Sequence, residues 1–557
     1  MHRHGAARRN GRRPGLRTGA PLLAAVLLAG PLLAGCTSAK ATDPAAAPVQ
    51  SPSPAASPSA LATAPPAQPP AQLTDAQVSA AVAALDGFVQ DAMTKTGVPG
   101  VAVAVVHRDK VLVAKGYGVR ELGRPDAVGP DTVFQLASVS KPIASTVVAG
   151  VVGQKAVKWD DPVTAHDPEF ALADPWVSGH VTIADLFSHR SGLPDHAGDL
   201  LEDLGYQRDH ILRHLRDQPL SPFRASYAYT NYGLTEAAVA VARAKGVAWE
   251  DLAADTLYGP LGMTSTSSRR SAYDAAADKA VPHVRAAGGG WQVSTTQNPD
   301  PQSPAGGVTS TVRDLAKWMR LQLADGTFEG RQVVDPAGLN ETRVPHSVAN
   351  PPMAPAGNPG FYGLGWNVSY DPHGRLRLNH SGAFELGAAT VVTLLPSEQL
   401  GIVVLSNGQP IGVPEAVAAE FFDHAQEGRL TVDWLGLYGK VVPAAAMGGV
   451  SPTDYTSPPA GAAPAKADAA YLGTYGNGYY GPLTVSAQDG GLVMSLGPDD
   501  LRFPLRHYAG DTFSFQTRGE NAVGLSGVTF TVGADGRAST VVVEQFNHEG
   551  LGSFTRG

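Results

Sequence analysis

The segment Phe134-Gln135-Leu136-Ala137-Ser138-Val139-Ser140-Lys141-Pro142 places a serine and a lysine three residues apart, where a helical pattern running to about Val152 begins. Residues at this spacing share one face of a helix, so the Lys141 amine is expected beside the Ser138 hydroxyl. The free N–H groups and the dipole at a helix N-terminus favour negative charge there. An unprotonated lysine could accept the serine proton if its surroundings lower its pKa from the usual value of about 10.4. A Ser-x-x-Lys also arises by chance about once in a chain of this length, as a capping serine and a solvated lysine.

A second short motif, Tyr229-Thr230-Asn231, lies about 90 residues further on, just before a helical stretch from Leu234 to Ala244. A phenol in this place can relay protons, and an amide can orient a lysine or a substrate carbonyl. The alternative interpretation is a buried tyrosine beside a turn asparagine. The motif by itself does not decide between the two.

A third motif, His380-Ser381-Gly382-Ala383, ends a candidate strand, Arg375 to Leu378. The imidazole would face the site, and the glycine would let a substrate approach the backbone closely. The N–H of Ala383 and that of Ser138 could together form an oxyanion hole. A simple turn is the alternative.

Taken together, the order and spacing of the three motifs resemble the penicillin-recognising serine hydrolases. This superfamily includes class C β-lactamases, D-alanyl-D-alanine carboxypeptidases, D-aminopeptidases and related esterases. The resemblance covers about residues 75 to 425. It extends to the flanking segments Trp159-Asp160-Asp161-Pro162-Val163, Asp185-Leu186-Phe187-Ser188-His189-Arg190-Ser191-Gly192-Leu193-Pro194, Ala305-Gly306-Gly307-Val308-Thr309-Ser310-Thr311 and Tyr362-Gly363-Leu364-Gly365-Trp366.

The resemblance implies a role for each motif residue. Ser138 is implied to be the acylated nucleophile, Lys141 its activator and Tyr229 the proton relay, with the choice of acylation base between Lys141 and Tyr229 left open. Asn231 is implied to orient substrate, and His380 occupies the third motif. No metal and no cofactor are implied. The third motif departs from the Lys-Thr-Gly of most β-lactamases, and losing that fixed cation weakens the case for efficient β-lactam hydrolysis.

The apolar patterning predicts an α+β fold in which an antiparallel sheet is assembled from both ends of the body. One hairpin is expected over Gly100–Val106 and Val111–Val113, and a second over Ala388–Leu395 and Leu400–Leu405. Mainly helical sequence lies between the two hairpins. Residues 74–428 are therefore predicted to form an antiparallel sheet flanked by helices with a mainly helical insertion, and the resemblance implies that this is a β-lactamase/transpeptidase-like domain.

The C-terminal part has a different pattern of short strands separated by glycine and aspartate. Such spacing over 469–557 predicts a small all-β sandwich or barrel, after an Ala/Pro/Gly-rich linker over 429–468. This module resembles the lipocalin-like domain fused to many such hydrolases, which implies a role in shaping or capping the active site. The strands are predicted at Leu483–Val485, Leu492–Leu496, Thr512–Phe515, Val528–Val532 and Thr540–Val543.

The N-terminus is a basic leader followed by a short apolar run and Leu33-Ala34-Gly35-Cys36. Residues 1–35 are predicted to be a lipoprotein signal peptide, whose apolar run, Pro21 to Leu33, is too short to span a bilayer. The cysteine after Leu-Ala-Gly resembles a bacterial lipobox, which implies acylation of Cys36. Residues 36–73, rich in Ala, Pro, Ser and Thr, cannot bury a core and are predicted to be an extended tether.

Composition excludes several other classes of function. The chain has 557 residues and one cysteine, so an intramolecular disulfide and a multi-cysteine metal site are excluded. The net charge is -8 although the leader is basic, so no basic surface for nucleic acid is expected. His210 and His214 are spaced like metal ligands, but no acidic third ligand or base accompanies them, so they are expected on a solvated helix face. Asp185 and His189 are expected to pack or brace a loop.

The sequence thus predicts a serine hydrolase lipid-anchored at the outer face of the bacterial cytoplasmic membrane, or secreted if Cys36 is not acylated. Its expected substrates are peptides or amides with D-amino acids, peptidoglycan fragments among them, or small esters. A β-lactamase is one alternative. A non-catalytic sensor lipoprotein that binds penicillin or cell-wall fragments is another, although an abandoned site need not keep Ser138, Lys141 and Tyr229.

Overall fold

The computed structural model describes residues 71–557 except 353, 355, 356, 447, 448 and 489. The predicted leader 1–35, Cys36 and nearly all of the predicted tether 36–73 lie outside the described residues. Within the described part, no helix combines the length and apolar character needed to cross a membrane.

An eight-stranded antiparallel sheet is the centre of the body, with strand order β2-β1-β14-β13-β12-β11-β10-β9. The first strand of the chain therefore pairs with the last strand of the body, with Val103 opposite Val404. The prediction of a sheet assembled from both ends is confirmed. The body strands are β1 (Gly100–His107), β2 (Lys110–Gly118), β3 (Phe134–Gln135), β4 (His283–Arg285), β5 (Trp291–Val293), β6 (Thr309–Ser310), β7 (Thr327–Phe328), β8 (Arg331–Gln332), β9 (Ser347–Asn350), β10 (Gly360–Tyr362), β11 (Asn367–Tyr370), β12 (Leu376–Phe384), β13 (Ala388–Leu395) and β14 (Leu400–Ser406).

Helices cover both faces of this sheet, and most of them lie between β2 and β9 in sequence, which confirms the helical insertion. Helices α1 and α14 pack on one face, and α12 packs on the other. The helices are α1 (Asp75–Thr96), α2 (Ser140–Gly153), α3 (Pro175–His180), α4 (Ile183–Phe187), α5 (Asp199–Asp203), α6 (Arg208–His214), α7 (Asn231–Ala244), α8 (Trp249–Ala253), α9 (Gly259–Leu261), α10 (Arg270–Ala275), α11 (Ser303–Gly306), α12 (Val312–Leu323), α13 (Pro336–Glu341), α14 (Val413–Glu427) and α15 (Trp434–Ala446).

Strand β1 shows why the sheet reads as continuous apolar runs in the sequence. Val101, Val103 and Val105 pack into the core under α1 and α14. Ala102 and Ala104, which point the other way, belong to the core on the opposite face. Because both faces are buried, an apolar side chain is favoured at every position rather than at alternate ones.

The start of the body is fixed by a buried ion cluster at the edge of the sheet. Arg375 donates to Asp371 (2.7 Å) and to Glu398 (2.8 Å), and its side chain is 1% exposed. The Glu398 carboxylate also accepts hydrogen bonds from the backbone N–H groups of Gln72 and Leu73. The chain is therefore anchored immediately before α1.

Replacing Arg375 with alanine should lower the free energy of unfolding by about 3–5 kcal/mol, because two buried carboxylates would lose their cation. Chemical denaturation followed by circular dichroism measures this change. Arg313, which pairs with Asp131 at the surface, supplies the control. Arg313→Ala should cost less than about 1 kcal/mol. Equal losses in the two variants would contradict the prediction.

The C-terminal part forms a closed barrel of eight antiparallel strands, which confirms the predicted small β-barrel. Aromatic side chains including Tyr471, Phe513 and Phe530 fill its interior. The strands are β15 (Gly473–Gly476), β16 (Leu483–Gln488), β17 (Gly491–Leu496), β18 (Leu501–Ala509), β19 (Thr512–Gln516), β20 (Leu525–Val532), β21 (Ala538–Val543) and β22 (Ser553–Arg556).

Three of the barrel strands, β15, β18 and β22, are absent from the sequence prediction. Strands β15 and β22 have only four residues each. Strand β18 contains Pro504, which argues against a strand in a single sequence, yet in the barrel it lies opposite Val493. The segment 429–468, predicted to be a linker, contains α15, whose Leu435 and Tyr438 are buried.

The barrel packs directly against the helical part of the body. The Tyr206 hydroxyl donates to the Tyr480 carbonyl oxygen (3.0 Å), and the Gln218 amide donates to the Tyr479 hydroxyl (2.6 Å). Buried residues of both parts form one continuous apolar cluster. The barrel is thus attached to the body by a packed interface as well as by the chain.

Candidate active site

The serine of the first motif lies in a tight turn at the entrance to α2. The turn spans Ala137–Val139, and the helix itself begins at Ser140, two residues later than the pattern predicts. Ala137 adopts a left-handed conformation (φ 47°), which is strained for a residue with a Cβ. Thr390 on β13 holds the turn by donating to the Leu136 carbonyl oxygen (2.7 Å). Strain that is stabilised by the surroundings in this way occurs often at functional sites.

Lys141 is the most enclosed group of the site. Its Nζ lies 3.1 Å from Ser138 Oγ, 2.6 Å from Asn231 Oδ1 and 3.1 Å from the Ala305 carbonyl oxygen. Ser138 is half-buried, whereas the lysine is fully buried. Burial lowers the pKa of Lys141 to about 7, although the negative charge of Asp199 acts in the opposite direction. The amine can therefore be uncharged near neutral pH and accept the serine proton.

Tyr229 lies on the other side of the same amine, with its ring centroid 4.4 Å from Lys141 Nζ. Burial raises the pKa of Tyr229 above its usual range, although a hydrogen bond with Ser138 acts against this. The group is therefore a protonated phenol that can donate to Ser138 or to a leaving group. Between the two candidates for the acylation base, this arrangement favours Lys141 as the acceptor.

The third motif lies inside β12 rather than at the end of a strand, so the predicted strand end at Leu378 is wrong. His380 Nδ1 contacts the Ser381 carbonyl oxygen (2.7 Å) and therefore carries the proton. Its Nε2 then accepts a hydrogen bond from the Tyr362 hydroxyl (2.9 Å). Burial lowers the pKa of His380 to about 3, and Lys141 adds to this effect. The third motif is thus neutral.

Gly382 brings β12 against the nucleophile turn. A Cβ at this position would lie 2.2 Å from the Leu136 carbonyl oxygen and 3.0 Å from the Ser138 nitrogen, so no larger residue fits. Ala383 is the next residue of the same strand. The two N–H groups predicted for the oxyanion hole therefore lie on adjacent segments, and their role stays a prediction.

Two polar residues absent from the sequence prediction complete the site. Asp199, the first residue of α5, accepts a hydrogen bond from the Asn231 amide (2.8 Å), and His196 lies 2.7 Å from the same carboxylate. Asn231, predicted to orient substrate, is thus hydrogen-bonded on both sides, by Lys141 and by Asp199. His196 stands in a turn and Asp199 begins a helix of only five residues, so no periodicity or spacing could indicate them.

His189 packs at the back of the site, which agrees with its expected role of bracing a loop. Its ring accepts a hydrogen bond from the Thr230 backbone N–H (3.2 Å), and its carbonyl oxygen accepts one from Ala228 (3.0 Å). These contacts fix the backbone on both sides of Tyr229. Asp185 binds Arg190 and Arg224 nearby.

A loop of the barrel reaches the edge of the site. The backbone N–H groups of Glu520 and Asn521 donate to Asp203 at the end of α5 (2.9 Å each). The Glu520 carboxylate in turn accepts from the backbone N–H groups of Glu385 (2.6 Å) and Leu386, which follow β12. One loop thus contacts both the helix that begins with Asp199 and the strand that carries the third motif.

Among the described residues, no group of three or more His, Cys, Asp or Glu side chains is arranged to hold a metal ion. His210 and His214 instead pack between Tyr206 and Tyr479 at the barrel interface. They do not form the solvated helix face that the sequence suggests.

Glu202, next to this network, provides a test of the buried electrostatics. Burial and the nearby Asp199 raise the pKa of Glu202 to about 8. A carboxyl group with a raised pKa in the folded state stabilises the fold at low pH and loses this contribution as the pH rises through about 8. Glu202→Gln should therefore gain stability over the unmodified protein by up to about 1 kcal/mol per pH unit between about pH 5 and pH 8.

Urea denaturation across this pH range measures the difference between the two proteins. Glu169→Gln, on an exposed loop, is the matched control and should follow the unmodified protein. A constant difference between Glu202→Gln and the unmodified protein at all pH values would contradict the raised pKa.

The fold and the three motifs define the class of protein. The family model described as Beta-lactamase matches residues 85–426, and the chain belongs to this family. A second model, described as a domain of unknown function (DUF3471), matches residues 457–552. The lipocalin-like character of the barrel stays a resemblance.

Among curated relatives, penicillin-binding protein 4 of Amycolatopsis lactamdurans is 30% identical over 342 residues, covering 59% of this chain and 84% of its own length. The unguisins hydrolase ungD' of Aspergillus campestris is 28% identical over 338 residues, covering 57% of this chain. The match spans 60% of the length of that hydrolase.

Two solved structures share the fold. The octameric penicillin-binding protein homologue from Pyrococcus abyssi has a TM-score of 0.53 at 17% identity, covering 83% of this chain and 98% of its own. A class C β-lactamase from Rhodobacter sphaeroides has a TM-score of 0.51 at 21% identity, covering 62% of this chain and 99% of its own.

Proposed function

We propose that this β-lactamase-family protein is an extracytoplasmic serine hydrolase that works through an acyl-Ser138 intermediate. The observation that carries the proposal is the half-buried Ser138 hydroxyl 3.1 Å from a fully buried lysine. In the first step Lys141 takes the Ser138 proton while Oγ bonds to the substrate carbonyl carbon. The tetrahedral adduct then collapses with cleavage of the scissile C–N or C–O bond. Tyr229, a neutral phenol, donates its proton to the leaving group and regains one from the protonated Lys141 beside it. Water then hydrolyses the acyl-enzyme.

The proposed substrates are peptides or amides with D-amino acids, or small esters. Within this choice the neutral His380 favours D-aminoacyl amides and small esters, since it offers no fixed cation to a substrate carboxylate of the kind that Lys-Thr-Gly supplies. The relative named as an unguisins hydrolase supports hydrolysis as the reaction, and the relative named as a penicillin-binding protein supports a site open to penicillin-like compounds. We propose peptidoglycan fragments as one source.

The proposed location is the outer face of the cytoplasmic membrane, through acylation of Cys36. The support is the sequence Leu33-Ala34-Gly35-Cys36 after a basic leader and a short apolar run. The barrel is proposed to shape the substrate cleft, and the contacts of Glu520 with the segment after β12 support this role.

A substrate panel tests the proposed function. D-Ala-D-Ala peptides, D-aminoacyl amides, p-nitrophenyl esters and a chromogenic cephalosporin are compared at equal concentration, with Ser138→Ala as the control. Turnover of the amides or esters that depends on Ser138 supports the proposal. Preferential turnover of the cephalosporin would instead assign a β-lactamase.

A binding protein without catalysis is the remaining alternative. It would bind fluorescent penicillin without turning over any member of the panel. Failure of both fluorescent penicillin and a fluorophosphonate to label Ser138 would exclude the acyl-serine reaction.

A further inference from the structure

We propose that Asp199 and His196 are positioning residues, an ion pair that orients Asn231 and in which His196 offsets the negative charge of Asp199 beside Lys141. The inference rests on the acyl-serine reaction proposed above. Neither residue contacts Ser138, so both would act through Asn231 and Lys141.

The hydrogen bonds of Asp199 determine which way the Asn231 amide faces. Asp199 Oδ2 accepts from Asn231 Nδ2 (2.8 Å) and from His196 Nδ1 (2.7 Å). A carboxylate only accepts, so the NH₂ group of Asn231 must face it. The amide oxygen must then face the other way, where Lys141 Nζ donates to it at 2.6 Å. Asp199 thus prevents the amide from turning over and presenting its NH₂ group to the lysine.

The His196–Asp199 pair also sets the charge beside Lys141. A nearby carboxylate stabilises the protonated form of an amine, and the charge of Asp199 acts to raise the pKa of Lys141. His196 lies on the other side of that carboxylate. Burial opposes its protonation, but the hydrogen bond with Asp199 and the charges of Asp195 and Asp199 outweigh burial and raise the pKa of His196 to about 9. The imidazolium therefore compensates Asp199 at neutral pH.

The other titratable groups around the lysine carry no compensating charge. Burial keeps the pKa of Tyr229 high and the pKa values of His189 and His380 low, so all three are neutral near pH 7. His196 itself faces Asp195 at 3.8 Å as well as Asp199. The charge state of the His196–Asp199 pair is thus the variable to which the nearby lysine responds.

The pH profile of kcat/KM for two opposite substitutions tests this inference, with the best substrate of the panel. Asp199→Asn removes the negative charge and should move the acid limb to lower pH. His196→Gln leaves the carboxylate uncompensated and should move the same limb to higher pH. Each shift should be about half a pH unit or more, and Asp199→Asn should also lower kcat about tenfold by loosening Asn231.

A second histidine–aspartate pair at the same spacing supplies the matched control. His214 Nδ1 lies 2.6 Å from Asp217 beside the barrel interface, and the two side chains are 27% and 40% exposed. His214→Gln and Asp217→Asn should leave the acid limb in place. The variants are first compared by circular dichroism, and the rate at which a fluorophosphonate labels Ser138 is measured across the same pH range.

Shifts of the acid limb in opposite directions in Asp199→Asn and His196→Gln support the inference. Shifts in the same direction, or no shift, overturn it. If Asp199→Asn does not fold, the direction of the His196→Gln shift decides alone. A fully active Ser138→Ala variant would refute the proposed function. If Ser138→Ala is inactive but Asp199→Asn and His196→Gln leave the acid limb where it is in the unmodified protein, only the role of the ion pair is refuted.

Discussion

Replacement of Ser138 with alanine should lower kcat/KM on the best panel substrate by about ten thousandfold or more. The loss is large because the acyl intermediate needs an oxygen nucleophile, and no neighbouring group of the site replaces it. Lys141 and Tyr229 stay in place in the variant, but neither has an acyl acceptor to serve. Steady-state kinetics and mass spectrometry of the protein after fluorophosphonate treatment measure the effect.

Ser145, seven residues further on and inside α2, offers a control close to the nucleophile in sequence. Its hydroxyl donates to the Leu364 carbonyl oxygen and lies outside the reacting groups. Ser145→Ala should therefore still take up one probe molecule, whereas Ser138→Ala should take up none. Labelling of the Ser138→Ala protein at another serine would place the nucleophile elsewhere.

Replacement of Lys141 with methionine should lower kcat by about a thousandfold, because the methionine has similar length but accepts no proton. The unmodified protein should show an acid limb in kcat/KM at about pH 7, where burial places the pKa of Lys141. Activity falls below this pH since the amine is then protonated. In Lys141→Met the residual kcat/KM should no longer show this fall at low pH.

Lys115, half-exposed on β2 and paired with Asp86, is the control for loss of a lysine. Lys115→Met should keep both the rate and the acid limb. An unchanged limb in Lys141→Met would assign the titration to another group. Because methionine suits a buried site better than an amine does, the variant is expected to fold.

The fold could be predicted from the sequence where local and tertiary preferences agree. The segment Thr74-Asp75-Ala76-Gln77 has the capping-box pattern, and Thr74 caps α1 in this way in the structure. The apolar runs of β1 and β14 form the buried strands that the sequence predicts. Prediction failed where pairing overrides local preference. Strand β12 continues through Ser381 and Gly382, residues typical of turns, because β13 pairs with it along its length.

The site was predictable only in its motif residues. The spacing of Ser138 and Lys141 indicated their proximity, and the resemblance to known hydrolases connected them with Tyr229 and His380. The lowered pKa of Lys141 could not be predicted, since it depends on burial by segments distant in sequence. Asp199 was not predictable either, because its partner Asn231 lies 32 residues further along the chain.

The pairing of β1 with β14 has a consequence for how the chain reaches its native state. Val103 pairs with Val404, so about 300 residues of chain separate these two partners in the sheet. Loop closure over such a length is slow, and high contact order lowers the folding rate. A growing chain therefore carries an unpaired valine-rich strand until nearly the whole body has been synthesised. During that interval β1 is exposed to aggregation, and chaperones that hold unfolded chains would protect it.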